Sequence, residues 1–162
     1  SFFNLSLLSK NINKNGVQDN IKIITNPLSD DMKFADFNLT NIDEGGALSA
    51  FGVNFNQDGN TLEKLLSYKT LGFTLDFLLA QKIIPEVPKM IKIDVDGIEH
   101  LILLGAKITL KNPICQTVLI EVNDKFKSQA LEVKNILIES GFSLKKKYHA
   151  VDETYNQIWF KD

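Results

Sequence analysis

The hydrophobic pattern of residues 90–108 changes its period at a glycine. Ile91, Ile93 and Val95 form a short apolar run of β-branched residues, which is typical of a strand covered on both faces. Beyond Gly97 the apolar residues follow the spacing of a helix: Ile98, Leu101, Ile102 and Ile108. The pattern predicts a strand, an acidic turn and a helix, an order that brings polar groups to the ligand-binding end of a strand in open α/β sheets.

The first half of the chain shows a helix followed by short extended segments. Leu5, Leu8 and Ile12 lie on one helical stripe, and Gly16 supplies a left-handed stop. Residues 41–60 are rich in Asn, Asp and Gly, and we interpret them as an excursion from the sheet. The elements predicted here are strands at 21–25, 34–39 and 47–55, an extended piece at 68–72 and a helix at 73–82.

The second half alternates strands and helices. It predicts a strand at 117–122, a helix with the apolar face Phe126, Ala130, Val133 and Leu137 that stops at Gly141, and an antiparallel pair at 142–150 and 154–160. Asn123 or Asp124 would cap that helix. We therefore predict a single α/β domain over residues 1–162, with a Rossmann-like, doubly wound, mostly parallel sheet, helices on both faces and a closing antiparallel pair. Strands 91–94 and 118–122 should be adjacent, parallel and central, because one helix with short loops joins them.

Charge and composition narrow the class of partner. The net charge of −2 gives no electrostatic footprint for nucleic acid or an anionic membrane. All 18 basic residues are lysines, so no arginine is present to clamp a phosphate or carboxylate through paired hydrogen bonds. Cys115 is the only cysteine, and its apolar neighbours predict a buried thiol. No signal peptide or membrane-length segment is visible, so we expect a cytoplasmic protein; its oligomeric state is not predicted.

Acidic side chains crowd the central turn. Asp94, Asp96 and Glu99 lie there beside His100. Asp96 is placed to cap the helix and Glu99 to complement its dipole, whereas Asp94 ends the strand and has no capping role. Glu121 lies in a buried type of strand, where an unpaired carboxylate is costly, so it should have a partner in the core or at a ligand pocket.

Three segments carry a resemblance to a known family. They are Lys92-Ile-Asp-Val-Asp-Gly-Ile-Glu99, Leu103-Leu-Gly-Ala106 and Leu119-Ile-Glu-Val122. Together they resemble the signature of the FkbM-type S-adenosylmethionine-dependent methyltransferases. Weaker matches at 4–16, 28–30, 74–76 and 156–160 follow in the family's order, so the resemblance spans nearly the whole chain. Asp96 stands where Glu is common in that family.

The resemblance implies a methyl transfer from S-adenosyl-L-methionine, most often to a hydroxyl group of a sugar or small molecule. It places the cofactor contacts at Asn26, Leu28, Ser29, Asp30 and Asp94. The candidate catalytic residues are Asp94, Glu99 and His100, with Glu99 or His100 as a base for the hydroxyl proton. No metal site is expected.

One feature of the family has no counterpart here. The family carries a glycine-rich first strand-loop and an acidic residue that ends the second strand, and these hold the methionine end and the ribose of the cofactor. Gly45-Gly46 lies in the excursion, outside a strand-to-helix context. The chain is therefore expected to represent the later two-thirds of the domain, with the cofactor loop upstream of Ser1.

Two other functions stay open. A non-catalytic, Rossmann-like interaction module is compatible with the missing loop. Ile93-Asp-Val-Asp-Gly97 also resembles the opening motif of magnesium-dependent phosphatases of the haloacid-dehalogenase type, in which the first Asp is a nucleophile and the second a general acid. That motif normally continues with Thr and opens its domain, whereas here Ile98 follows and half of the chain precedes it.

Overall fold

The computed structural model describes residues 1–161, which form five helices and seven strands. The helices are α1 (Phe2–Asn15), α2 (Leu75–Ala80), α3 (Glu99–Leu104), α4 (Lys107–Lys111) and α5 (Lys127–Glu139). The strands are β1 (Lys33–Leu39), β2 (Ser49–Phe51), β3 (Leu66–Gly72), β4 (Met90–Ile93), β5 (Thr117–Asn123), β6 (Ser143–Val151) and β7 (Thr154–Phe160). No helix among these residues has both the length and the apolar character needed to cross a lipid bilayer.

The larger sheet has four strands in the order β4-β5-β7-β6. β4 and β5 are adjacent and parallel, as predicted, with Ile93 opposite Ile120. The closing pair β6 and β7 is antiparallel, also as predicted, and β7 lies between β5 and β6. Two expectations were wrong: β4 lies at an edge of this sheet instead of its centre, and only one of the three strand pairs is parallel. The doubly wound arrangement stays a prediction.

A second, antiparallel sheet has the order β2-β1-β3. It confirms the strand predicted at 34–39 and the extended piece at 68–72, which lie side by side. The strand predicted at 47–55 is reduced to Ser49–Phe51, because Leu48 adopts a left-handed backbone with φ of 61° and interrupts the extended chain.

The strand predicted at 21–25 was wrong. Ile21, Ile23 and Ile24 are 42%, 37% and 37% exposed, and the segment is not part of either sheet. A β-branched run forms a strand only when another strand supplies hydrogen bonds and a packing surface. Within residues 1–161 no strand lies alongside this segment, although Leu28 just beyond it makes a single parallel bridge to Phe73.

The main core lies between the four-stranded sheet and the helices α3 and α5. Val118, Ile120 and Val122 alternate along β5 and point to this side, where they meet Val133 and Leu137 of α5; all five are buried. α3 and α5 also pack against each other, so both helices cover the same face of β5. The predicted helix face on α5 is thus confirmed. Its predicted caps were wrong, because the helix follows Phe126 without a side-chain cap and Asn123 Oδ1 accepts from the backbone N–H of Lys125 instead.

The helix predicted after the central turn is broken at Gly105. A Cβ at this position would lie 2.0 Å from the backbone oxygen of Ser29, so only glycine allows the loop of Ser29 to pack against the end of α3. α4 then begins anew, and the carboxylate of Asp76 on α2 accepts from the first amides of α4, Ile108 N and Thr109 N, each at 2.8 Å. The break in the helix therefore positions the loop 26–30 beside β4.

Candidate functional site

The turn after β4 is built around Gly97. Its φ of +107° lies in the region that favours glycine, and a Cβ would lie 2.9 Å from the backbone oxygen of Asn56. The backbone of Asn56 and Gln57 therefore closes over the turn. This close contact fixes the direction in which the chain leaves β4 and enters α3.

Asp94 follows the last residue of β4 and faces solvent. Its carboxylate forms an ion pair with Lys92, two residues earlier on the same face of the strand, and its side chain is 48% exposed. Because Ile93 is opposite Ile120, the next pair across β4 and β5 is Asp94 and Glu121. Burial raises the pKa of Glu121, and the neighbouring charge of Asp94 adds to this.

Asp96 does not cap α3, so this prediction was wrong. Its Oδ2 accepts from the backbone N–H of Ser49 at 3.0 Å, and α3 follows Ile98 without a side-chain cap. Burial raises the pKa of Asp96, the hydrogen bonds from the backbone oppose this, and the charge of Asp94 adds to it. Asp96 therefore ties β2 of the smaller sheet to the turn.

Glu99 is buried, with 3% of its surface exposed. Its Oε1 accepts from the backbone N–H of Gly97 at 3.3 Å, and its Oε2 accepts from the side-chain amide of Gln129 on α5. Burial is the main cause that raises the pKa of Glu99 to about 8. Glu99 lies in the first turn of α3, where it was predicted to complement the helix dipole. Desolvation dominates its pKa instead, and Glu99 is a neutral acid at pH 7.

His100 packs on Phe126 at the start of α5. The two ring centroids are 6.4 Å apart in an edge-to-face arrangement. Burial lowers the pKa of His100, while the charges of Glu132 and Asp30 oppose this, and its Nδ1 is buried with no hydrogen-bond partner among the described residues. The structure therefore brings together Asp94, Asp96 and Glu99 and directs His100 toward α5.

Two adjoining cavities lie along β4 and its turn, and we call them together the β4 cleft. Their volumes are about 410 and 300 Å³, in the range of small-molecule sites. Both are lined by Leu28, Asp94, Val95 and Ile102. The larger cavity extends to Asn4, Pro27, Phe37, Gly46, Ala47, Ser49, Phe51, Asp96 and Ile98. The cleft thus has apolar walls with carboxylates at one end.

Of the four residues predicted on the loop after position 25, only Leu28 lines the cleft. Asn26 donates from Nδ2 to the backbone oxygen of Leu71 at 2.9 Å, and Ser29 is fully buried and donates to Asp30 Oδ1 at 2.7 Å. Asp30 forms an ion pair with Lys33 at 2.6 Å. Partial burial raises the pKa of Asp30, but Lys33 and Ser29 outweigh it, so the pKa lies below its ordinary value. These contacts hold the loop in place behind Leu28.

Sequence reasoning missed Ser49 and Gln129, and for Glu121 it predicted only a partner in the core or at a ligand pocket. The backbone of Ser49 and the side chain of Gln129 come from segments distant in sequence, so no local pattern points to them. Glu121 did carry a signal, because it is the one charged residue in an apolar strand. The strand register, which the sequence does not give, places it beside Asp94.

The fold and the site together define an α/β domain with an acidic cleft at the carboxyl end of a parallel strand, where open α/β sheets bind ligands. A family model, the methyltransferase FkbM domain, matches residues 4–144. The chain therefore belongs to the FkbM methyltransferase family. No curated protein and no solved structure matches it.

Proposed function

We propose that this protein transfers a methyl group from S-adenosyl-L-methionine to a hydroxyl group of a small molecule or sugar. Membership of a methyltransferase family supports the reaction class. The observation that carries the finer proposal is Asp94, whose carboxylate stands at the carboxyl end of β4 and lines both cavities of the β4 cleft.

The residues of the cleft fit the donor. S-adenosylmethionine combines a flat apolar base with a positively charged sulfur, and Leu28 and Val95 offer apolar surface close to the carboxylate of Asp94. A carboxylate in a partly desolvated cleft favours a cation over a neutral group. Among residues 1–161 the cleft has no glycine-rich strand-to-helix turn of the kind that holds the methionine end, so we expect this chain to bind the donor weakly.

When bound, S-adenosylmethionine supplies a methyl group that is already activated for transfer. The protein then has to align the acceptor, exclude water and accept a proton. Ile98 and Ile102 line the larger cavity and keep its wall apolar. Asp94 is the polar group on that wall that remains half exposed, so it can contact both a cation and an acceptor hydroxyl.

Asp94 is also the best placed of the predicted catalytic residues to accept the hydroxyl proton. Glu99 is buried and, with a pKa of about 8, already holds its proton at pH 7. His100 packs on Phe126 and does not line either cavity of the cleft. We therefore assign proton acceptance to Asp94, with Glu99 and His100 in supporting positions.

A methyl-transfer assay tests this function. The protein is incubated with methyl-labelled S-adenosylmethionine and a panel of monosaccharides and hydroxylated small molecules, and labelled ether products are separated by mass. We expect Asp94→Asn to abolish labelling, and Asp19→Asn, at an exposed residue outside the cleft, to leave it unchanged. Label found on an amine, or equal labelling by wild type and Asp94→Asn, would contradict the proposal.

A further inference from the structure

A groove runs between α5 and the strand β6, at the edge of the four-stranded sheet that lies opposite β4. β6 is the outermost strand there and α5 packs on β5, so the face of β6 and β7 beside α5 is left partly open. The groove has a volume of about 660 Å³, within the range of small-molecule sites. Within residues 1–161, the side chains that line it all differ from those of the β4 cleft. We call it the α5 groove.

The walls of the α5 groove carry exposed apolar side chains. Leu131 and Ile138 on α5 and Leu144 on β6 line it, and each is about half exposed. Trp159 of β7 lies opposite Leu144 across the strand pair and forms a buried part of the floor. Single exposed apolar residues are ordinary, but several that converge on one concave surface mark a place where another molecule binds.

The floor of the groove also offers a hydrogen-bond donor. Gln157 is 7% exposed, and its Oε1 accepts from the indole N–H of Trp159 at 3.0 Å. Because an indole N–H can only donate, this contact fixes which end of the amide is the oxygen. The amide Nε2 has no hydrogen-bond partner in the described part of the chain. A ligand oxygen at this point would therefore satisfy a nearly buried donor that is otherwise unpaired.

The charged groups of the groove favour an anion. Lys147 of β6 pairs with Asp124 at 2.6 Å, so these two charges offset each other. Lys134 of α5 also lines the groove, and it forms no ion pair with any residue from 1 to 161. One unpaired ammonium group and one neutral donor suit a carboxylate, which has a single negative charge and two acceptor oxygens. A dianionic phosphate would lack a second free cation and would face the carboxylate of Asp124.

We propose that the α5 groove binds a free alkyl carboxylate of the fatty-acid class. The alkyl chain lies along the apolar walls formed by Leu131, Ile138 and Leu144. The carboxylate pairs with Lys134 and accepts from Gln157 Nε2. This site goes beyond the methyl-transfer proposal and does not depend on it, because it uses none of the residues of the β4 cleft.

Trp159 gives a direct readout of binding, because it is the only tryptophan of the chain and lies at the floor of the groove. Its fluorescence is followed during titration with dodecanoate and decanoate below their micelle concentrations. We expect a saturable change, with decanoate roughly tenfold weaker because it buries two fewer methylene groups. Decan-1-ol, which lacks the charge, should bind more weakly than decanoate. A signal that does not saturate, or tighter binding of decan-1-ol, would overturn the proposal.

Two matched variants place the ligand in the groove. Ile138→Glu puts a negative charge on its wall and should weaken dodecanoate binding at least tenfold, whereas Ile108→Glu, at an exposed position of α4 outside the groove, should leave it unchanged. Lys134→Gln should weaken dodecanoate binding about threefold, as expected for an exposed ion pair, and should remove the preference for decanoate over decan-1-ol. Circular dichroism melts check that each variant is folded. Equal binding by Ile138→Glu and the wild type would overturn the site.

Two other occupants of the groove would be recognised by separate measurements. Sedimentation of the protein without ligand should show no association that Ile138→Glu abolishes; an association of that kind would assign the groove to a second copy of the chain. Flotation with vesicles of phosphatidylcholine and phosphatidylglycerol should leave the protein unbound. Vesicle binding that Ile138→Glu abolishes, without saturable binding of dodecanoate, would assign the groove to a lipid surface. Either result would overturn the proposal.

Discussion

The side-chain amide of Gln129 on α5 donates to the buried carboxyl group of Glu99 at the start of α3. This contact joins the two helices that cover β5, and it lies directly behind the turn that carries Asp94. Glu99, which was predicted to act at a ligand site, is therefore a buried residue that holds α3 and α5 together behind that site. The consequence is a measurable dependence of stability on pH.

Glu99→Gln should remove a loss of stability that the wild type shows as the pH rises. The pKa of Glu99 is about 8 in the folded protein and 4.5 as its ordinary value, so the folded state binds this proton more tightly than the unfolded state. Stability is then highest below the ordinary pKa and is lost as the pH rises through the folded value. The difference is on the order of 4 kcal/mol between pH 5 and 8. Urea unfolding at several pH values measures it.

Glu139→Gln serves as the control for this pH dependence, because Glu139 lies on the exposed side of α5. It should keep the wild-type slope of unfolding free energy against pH. An equal slope in the wild type and in Glu99→Gln would show that Glu99 is ionised in the folded protein.

Gly105→Ala should destabilise the protein and displace the loop that carries Leu28. Its Cβ would lie 2.0 Å from the backbone oxygen of Ser29, which can move only with the loop. Overpacking of this kind costs about 1–3 kcal/mol. The measurement is urea unfolding, with Gly16→Asn as a control, because Gly16 has a φ of 65° in open space and Asn tolerates that conformation. Similar losses in both variants would contradict a clash specific to the loop.

Much of the fold could be predicted because its signals are local. The period change at Gly97, the apolar face of α5 and the strand β5 were all read from neighbouring residues and are confirmed. The strand at 21–25 failed because a strand depends on a partner that no local pattern supplies. Asp96 was assigned to a cap because the amide that it accepts from, Ser49, is 47 residues away in sequence. The burial of Glu99 was missed for the same reason, since Gln129 reaches it from another helix.

Asp94→Asn should leave the melting temperature unchanged or slightly raised, because it relieves the repulsion between Asp94 and Asp96, and it should abolish methyl transfer. Asp96→Asn should change stability by less than about 1 kcal/mol, because Asn keeps the oxygen that accepts from Ser49. Thermal melts beside the labelling assay measure both. A large loss of stability in Asp94→Asn, with activity retained per folded molecule, would make Asp94 a structural residue.

The most direct measurement of the central claim is an NMR titration of the protein with S-adenosylmethionine and, separately, with S-adenosylhomocysteine, which lacks the positive charge on sulfur. We expect the amide signals of Leu28 and Val95 to shift with both ligands at dissociation constants of about 1 mM. The charged ligand should bind about fivefold more tightly, which corresponds to about 1 kcal/mol for a half-exposed charge pair. Asp94→Asn should remove that preference. Equal affinities in the wild type, or shifts that avoid the β4 cleft, would contradict a cofactor site at Asp94.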